Sequence, residues 1–397
     1  MSVDVSDMPT SPNASLGSLR VALVHDWLTT YAGSERVLEQ LITLFPSADV
    51  FTLVDTLDAP ARDFLQGRPV RTSFLQHLPG VRRRFRQLLP LLPIAIEQFD
   101  LSAYDLVISS SHAVAKGVIT GPDQVHVSYV HSPMRYAWDL QHQYLRQARL
   151  ERGPVSWAVR VALHNLRVWD ASSAPRVDTF VANSRFIARR IQKAYGRSST
   201  VVHPPVDVER IPLGTSKGDF YVTASRMVPY KRIDLIVEAF GRLRDRRLLV
   251  IGEGPEMSRI RAVGGPNVEL LGYQPTPALH RLLGEARGFV FAAEEDFGIL
   301  PVEAQAAGTP VIGLGRGGLR DTVLDAEASA TPTGIFFESQ TVEDVVDAVR
   351  RFESHEGRFD PHVLRAHAQR FSVDAFRTAM IDVVTAAIED HAAGRTD

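Results

Sequence analysis

Arg226 and Lys231 follow directly on the apolar run "DFYVTAS", and Glu295 and Glu303 flank a short turn in "EEDFGILPVEAQAAGTPVI". Two cations at the end of a strand and the start of a helix suit phosphate oxygens. Backbone amides at a helix N-terminus already favour anions, and fixed cations add charge-assisted bonds. Cations are poorly placed at the positive end of a helix dipole unless an anion joins them, so the pair predicts a diphosphate site. Glu295 is expected at a strand end and Glu303 in the first turn of the next helix, with Pro301 near its start. The amides of Phe297, Gly298, Ile299 and Leu300 lie between the two acids. Acceptors on both sides of a row of donors suit a polyol attached to a phosphate. Taken singly, each acid reads more readily as a residue that merely complements a helix dipole; taken with Arg226 and Lys231, the joint arrangement points to a ligand. Gly252 and Gly254 form a Gly-x-Gly between strand and helix, which reads more readily as a tight turn than as a phosphate cradle.

These residues need strands to carry them. In the first half, "LRVALVH", "DVFTLV", "YDLVISS", "VHVSYVH" and "DTFVANS" are near-continuous apolar runs of the kind buried on both faces of a parallel sheet. Helical patterns fall near 34–45 and 185–195. In the second half, "DFYVTAS", "RRLLVIGEG", "VELLGY", "GFVFAA", "PVIGLG" and "TGIFF" alternate with helices near 231–243, 276–286, 301–307 and 341–353. The alternation predicts an α/β fold of two doubly wound, Rossmann-like parallel-sheet domains facing across a cleft. Ligands in such folds sit beyond the carboxyl ends of strands. The expected division is a polar, disordered lead over 1–18, an N-terminal domain over 19–203, a Pro- and Gly-bearing linker over 204–218 and a C-terminal domain over 219–372. A last amphipathic helix spans 373–391.

The chain has 397 residues, 45% hydrophobic and 23% charged, as in a soluble globular protein of two domains. It has no cysteine, which excludes disulfides, thiolate metal sites and cysteine nucleophiles. No apolar run reaches the roughly 20 residues of a spanning helix, and residues 1–18 lack the apolar core of a signal peptide. Residues 1–203 hold 22 Lys+Arg against 17 Asp+Glu, and residues 204–397 hold 22 against 29. The first half is therefore net positive and suits an anionic partner.

The stretches "SRMVPYKRID", "LGYQPTPALHRLL" and "EEDFGILPVEAQAAGTPVIGLGRGGLRDTV" resemble the nucleotide-sugar-binding half of family 4 retaining glycosyltransferases, which have the GT-B fold. Arg-x4-Lys, Glu-x7-Glu and a following Gly-Gly turn occur in the family's order. The resemblance runs from about residue 19 over nearly the whole chain. It implies that Arg226 and Lys231 bind the donor diphosphate, Glu303 the ribose and Glu295 the transferred sugar. Gly272 and Tyr273 would meet the base, and the last helix would cross back onto the first domain.

In the first half, "VALVHDWLTTYAGSERVLEQL" is similar to the family's first strand, glycine loop and helix, with Ala32-Gly33 where the family often has two glycines. Gly33 would approach a phosphate. "YDLVISSSHAVAKGVI" and "VSYVHSPMRYAWD" resemble the subgroup that assembles bacterial surface polysaccharides, many of whose members transfer mannose. His131 would reach the donor sugar, Lys116 is placed similarly, and Asp26 and Arg135 are further candidates. GDP-mannose is the favoured donor from this resemblance.

No Asp-x-Asp triplet or His/carboxylate cluster has metal-ligand spacing. No metal or other cofactor is therefore expected, and Lys, Arg and helix termini would neutralise the leaving diphosphate. Arg82, Arg83, Arg84 and Arg86 beside a leucine-rich run over 88–92 suit an anionic membrane surface, or else a helix that packs its leucines inward. The expected acceptor is a saccharide, often polyprenyl-diphosphate-linked in this family, met at the cytoplasmic face of the membrane. No nucleic-acid partner is expected. A nucleotide-sugar epimerase, which would work without an acceptor, and a non-catalytic membrane-associated relative are the alternatives.

Overall fold

A computed structural model describes residues 16–394. Residues 1–15 of the expected lead, and the side chains of Arg83, Arg84 and Arg86, lie outside the described residues. The chain divides into two units, one of residues 1–203 with 377–397 and the other of residues 204–376.

The first unit is built on a parallel sheet of β1 (Val21–His25), β2 (Asp49–Thr52), β3 (Val70–Thr72), β4 (Leu106–Ser111), β5 (Val125–Val130), β6 (Thr179–Ala182) and β7 (Thr200–Val201). Their order across the sheet is β3-β2-β1-β4-β5-β6-β7. β1, β4 and β5 are buried at every position, the pattern that near-continuous Val, Ile and Leu runs predict for central strands. Helix Gly33–Leu44 follows β1. From Arg377 onward, helix Val373–Gly394 belongs to this unit, and Arg377 Nε donates to Gln40 Oε1 at 2.9 Å.

The second unit has β8 (Tyr221–Ala224), β9 (Leu248–Ile251), β10 (Val268–Gly272), β11 (Gly288–Phe291), β12 (Val311–Leu314) and β13 (Gly334–Phe337), in the order β10-β9-β8-β11-β12-β13. Alternate residues of one strand enter opposite cores. Leu248 and Val250 join one apolar cluster, while Leu249 and Ile251 join the other. Helices cover both faces, so β8, β9, β11 and β12 are buried at every position, while edge strand β10 is only partly buried.

Four differences from the expectations have physical causes. Edge strands β3 and β7, of three and two residues, are too short and too polar to signal themselves. Helix Pro154–Ser173 leaves Trp157, Val161 and Val168 exposed, so its apolar residues do not fall on one buried stripe. Residues 204–218 are not an extended linker. Val206, Val208 and Ile211 are buried in the second core, and Arg365 donates to the carbonyls of Val208 and Ile211. Helix Ile299–Ala306 begins two residues earlier than expected, which puts Glu303 in its second turn. Pro301 sits where the first amides of a helix have no intrahelical acceptor in any case.

Candidate functional site

In the second sheet the strand order reverses between β8 and β11, the place where open α/β sheets take ligands. The candidate side chains follow the ends of these two strands. After Ala224 the backbone passes through Ser225 and the exposed Arg226 to a single turn, Pro229–Lys231, and then to helix Ile233–Arg242. Arg232 takes a left-handed conformation (φ 53°) at the entry to that helix. Lys231 Nζ forms an ion pair with Glu295 Oε1, joining the loop after β8 to the loop after β11. It also lies 5.3 Å from the centre of the Tyr230 ring.

The Gly-x-Gly supports this loop from below. Gly252 (φ 120°) and Gly254 (φ 157°) have backbone that L-residues rarely adopt. A Cβ on the first would strike the Ser225 carbonyl, and one on the second the Met227 carbonyl. The approach is tied by Met227 N–H donating to Glu253 O at 2.9 Å and Glu256 N–H donating to Met227 O at 3.1 Å. These glycines therefore set the loop that carries Arg226.

Gly317 and Gly318 do the same for Glu295. A side chain on either would enter the backbone of Glu295, Asp296 or Phe297, and Gly318 N–H donates to Glu295 O at 2.8 Å. Phe297 turns its ring into the core, 5.6 Å from the Phe371 ring, so only its backbone remains for a ligand. Gly298 (φ 92°) precedes the helix, and Ile299 and Leu300 open it. Glu303 is 5% exposed. Its Oε2 lies 3.8 Å from His280 Nε2, beyond hydrogen-bond length. His280 comes from helix Thr276–Glu285 and was not among the expected site residues. Its only signal was its place inside "LGYQPTPALHRLL". Gly272 ends edge strand β10 and accepts from Gly252 N–H at 2.8 Å, and Tyr273 beside it is 71% exposed.

The first sheet reverses between β1 and β4. Gly33 is the first residue of the helix after β1, and Glu35 Oε2 accepts from Ala32 N–H at 3.0 Å and Ser34 Oγ at 2.9 Å. His25 and Ser110 are paired in register on β1 and β4, with His25 Nδ1 3.1 Å from Ser110 Oγ. His131 follows β5, and its Nε2 lies 2.8 Å from the same hydroxyl. Burial, with His112 and His25 nearby, holds His131 well below the ordinary imidazole value.

Two expected candidates have other work. Asp26 is fully buried, and its carboxylate accepts from the backbone N–H groups of His112, Ala113, Val114 and Ala115 at 2.6, 2.8, 2.7 and 2.8 Å. It closes an anion nest with the chain's own charge. Lys116 does not point at a ligand. Its Nζ donates to Asp170 O and Ser173 Oγ, each at 2.7 Å, and pairs with Asp170 Oδ1 at 2.8 Å. Two hydrogen bonds and this ion pair hold the ammonium inside the unit. Asp170 Oδ2 in turn accepts from Trp138 Nε1 and Tyr195 OH, so the placement of Lys116 toward a donor is corrected to a buried structural pair. Arg135 is partly buried after β5.

In the 82–92 segment some apolar residues turn inward, while Leu91 is exposed. Val81, Phe85 and Leu92 are buried, and Leu88 and Leu89 pack against the same core. Arg82 pairs with Asp58 at 2.6 Å. No described helix is long and apolar enough to cross a membrane.

Residues 31–210 match the family model described as Glycosyltransferase Family 4, and residues 207–370 match Glycosyl transferases group 1. The chain is 30% identical over 249 residues to the D-inositol 3-phosphate glycosyltransferase of Geodermatophilus obscurus, covering 54% of each. It is 30% identical over 198 residues to a GDP-mannose-dependent monoacylated alpha-(1-6)-phosphatidylinositol monomannoside mannosyltransferase of Corynebacterium glutamicum, covering 42% of this chain and 50% of that one. The chain spans about half the length of the curated relatives it matches. Among solved structures, Anabaena HepE in complex with UDP aligns over 93% of this chain and 100% of its own, with TM-score 0.68 and 15% identity. Sucrose-phosphate synthase from Thermosynechococcus elongatus aligns over 92% and 98%, with TM-score 0.66 and 17% identity.

Proposed function

Since the chain belongs to the family 4 glycosyltransferases of the GT-B fold, we propose that it moves a hexose, mannose from GDP-mannose in the first instance, to a saccharide acceptor in surface polysaccharide assembly. The observation that carries this reading is the ion pair of Lys231 with Glu295 at the reversal point of the second sheet. An ammonium has three hydrogens. One can serve Glu295 while the others serve a phosphate oxygen, so a phosphate-binding cation and a hydroxyl-binding carboxylate are held at a fixed spacing. Arg226 adds a second cation on the same loop, and Glu303 takes the ribose hydroxyls.

In this reaction the bond from the sugar's anomeric carbon to the diphosphate oxygen breaks, and the acceptor oxygen bonds to that carbon from the same face. The acceptor proton passes to the departing diphosphate. Lys231, Arg226 and the amides at Ile299 and Leu300 stabilise the charge that develops on the leaving group, which is where preorganised donors act most strongly. The anomeric configuration is retained, and these cations take the place of a divalent ion. Mannose is favoured by the subgroup resemblance and by the donor named for the corynebacterial relative.

The lipid-linked acceptor reading gains support from helix Pro154–Ser173. Trp157 (70% exposed), Val161 and Val168 recur along one side of it, and Arg146, Arg149 and Arg152 precede it. An exposed aromatic and aliphatic ridge with arginines suits an anionic bilayer surface.

A thermal-shift screen against GDP-, UDP- and ADP-sugars tests the donor assignment. GDP-mannose at about 100 times its Kd adds about 2.7 kcal/mol of stability. A larger shift with a UDP-sugar would replace the donor, and none with any nucleotide-sugar would remove the reading.

A further inference from the structure

Four polar side chains run in line through the buried carboxyl end of the first sheet. Glu35 Oε1 lies 3.5 Å from His25 Nε2. His25 Nδ1 lies 3.1 Å from Ser110 Oγ, and Ser110 Oγ lies 2.8 Å from His131 Nε2. Glu35, His25 and Ser110 are each 5% exposed or less. We propose that Glu35, His25 and Ser110 act as positioning residues that fix His131 in its Nε2–H tautomer and leave Nδ1 as the acceptor nitrogen.

The direction of each bond follows from its neighbour. Burial pushes the Glu35 carboxyl up, but His25 and the donors at the start of its helix outweigh this and hold it below its ordinary value. Ala32 N–H and Ser34 Oγ both donate to Oε2. An ionised carboxylate only accepts. The 3.5 Å separation is long for a hydrogen bond, so the contact acts through charge. A bare ring nitrogen facing a carboxylate in a buried site is repulsive, so in the proposed arrangement His25 carries its single hydrogen on Nε2. Its Nδ1 is then an acceptor and takes the single hydrogen of Ser110. That hydroxyl, having donated to His25, can only accept from His131, which must carry its hydrogen on Nε2.

The surroundings reinforce the order. Asp26 accepts from four backbone amides beside the relay, and its Oδ2 lies 3.3 Å from His112 Nδ1, so its charge is met by backbone donors and is not offered to His131. The rings of His112 and Tyr129 flank His131 at 6.2 and 5.2 Å and offer it no carboxylate. Asn183 Nδ2 donates to the His131 carbonyl at 2.9 Å and fixes the backbone from which the ring projects. The imidazole thus presents a lone pair at Nδ1. The group it would recognise is a hydroxyl donor, such as a ring hydroxyl of the transferred sugar. This last step rests on the proposed transferase reading and on the donor-sugar role that the family resemblance implies for His131, whereas the tautomer does not.

The test is a long-range proton–nitrogen correlation spectrum of the full chain with labelled histidine, at pH 8, with His131→Gln used to assign the signals. The proposal requires His131 to be protonated on Nε2 and bare on Nδ1. Ser110→Ala removes the preference and leaves mixed tautomers, and Ser110→Thr, which keeps the hydroxyl, restores it. If Ser110→Ala does not fold, Glu35→Gln serves, because an amide can donate to His25 and scramble both rings. A hydrogen on Nδ1 of His131 overturns the proposal, as does a tautomer unchanged in the variants. The same Ser110→Ala protein should lose about tenfold in kcat/KM, the worth of one oriented hydrogen bond, with recovery in Ser110→Thr. The spectrum holding while no variant or wild-type protein transfers sugar would discard the transferase reading and keep the relay.

Discussion

Lys231 and Glu295 form an ion pair between the loops that follow β8 and β11, with side chains 16% and 19% exposed. Neither residue is near the other in sequence, and both depend on glycines that let the loops approach. Replacing Lys231 by Met removes a cation from the proposed diphosphate site and leaves Glu295 without this partner. The expected loss in kcat/KM is at least a hundredfold, about 2.7 kcal/mol or more, as for removal of one preorganised transition-state donor. Steady-state kinetics with the preferred nucleotide-sugar would show it. A change within threefold would mean that Lys231 does not meet the leaving group.

The two acids should fail differently. Glu303→Ala should weaken binding of the bare nucleoside diphosphate about tenfold or more in calorimetry, because ribose hydroxyls lose their acceptor. Glu295→Ala should leave that affinity within twofold and instead relax the choice between sugars on the same nucleotide. Equal losses of nucleotide affinity would dissolve the distinction.

Gly252→Ala should destabilise the second unit by about 1–3 kcal/mol, the cost of forcing a side chain into strained backbone, and displace the Arg226 loop that its Cβ would strike. Chemical denaturation with a parallel titration of nucleoside diphosphate measures both. Unchanged stability with unchanged affinity would show that the loop does not need the glycine.

His126 is fully buried between Ser109 Oγ and the Arg176 carbonyl, and burial pushes it down to about 4. Its unfolded value is the ordinary 6.5. Between those values the unfolded chain binds a proton that the native chain does not, so stability is lost as pH falls from 6.5 toward 4. The loss from this one group is about 2 kcal/mol at pH 5. Urea midpoints at pH 7.5 and 5.0 should fall less for His126→Gln than for the parent protein. An equal fall would place the acid sensitivity elsewhere.

The strands of both sheets that cross the core were readable because each is a short run of Val, Ile, Leu and Phe buried on two faces. The same rule hid β3 and β7, whose two or three residues at a sheet edge bury little. Arg226, Lys231, Glu295 and Glu303 were readable as candidates because each lies just after a strand or early in a helix. What they pair with was not, since the Lys231–Glu295 contact depends on loop approach permitted by Gly252, Gly254, Gly317 and Gly318. Lys116 misled for the opposite reason. Its position after β4 suits a ligand, but Asp170, distant in sequence, captures it inside the unit. His280 and the Glu35–His25–Ser110 line escaped because no local spacing marks side chains that meet only after folding.

The most direct test is transfer itself, with GDP-mannose and a polyprenyl-diphosphate-linked saccharide, read by mass spectrometry and by the anomeric configuration of the product. The account predicts addition of one hexose with the configuration of the donor, abolished in Glu303→Ala while the variant's thermal unfolding stays cooperative. A product of inverted configuration, or a Glu303→Ala protein that transfers as well as the parent, would contradict it.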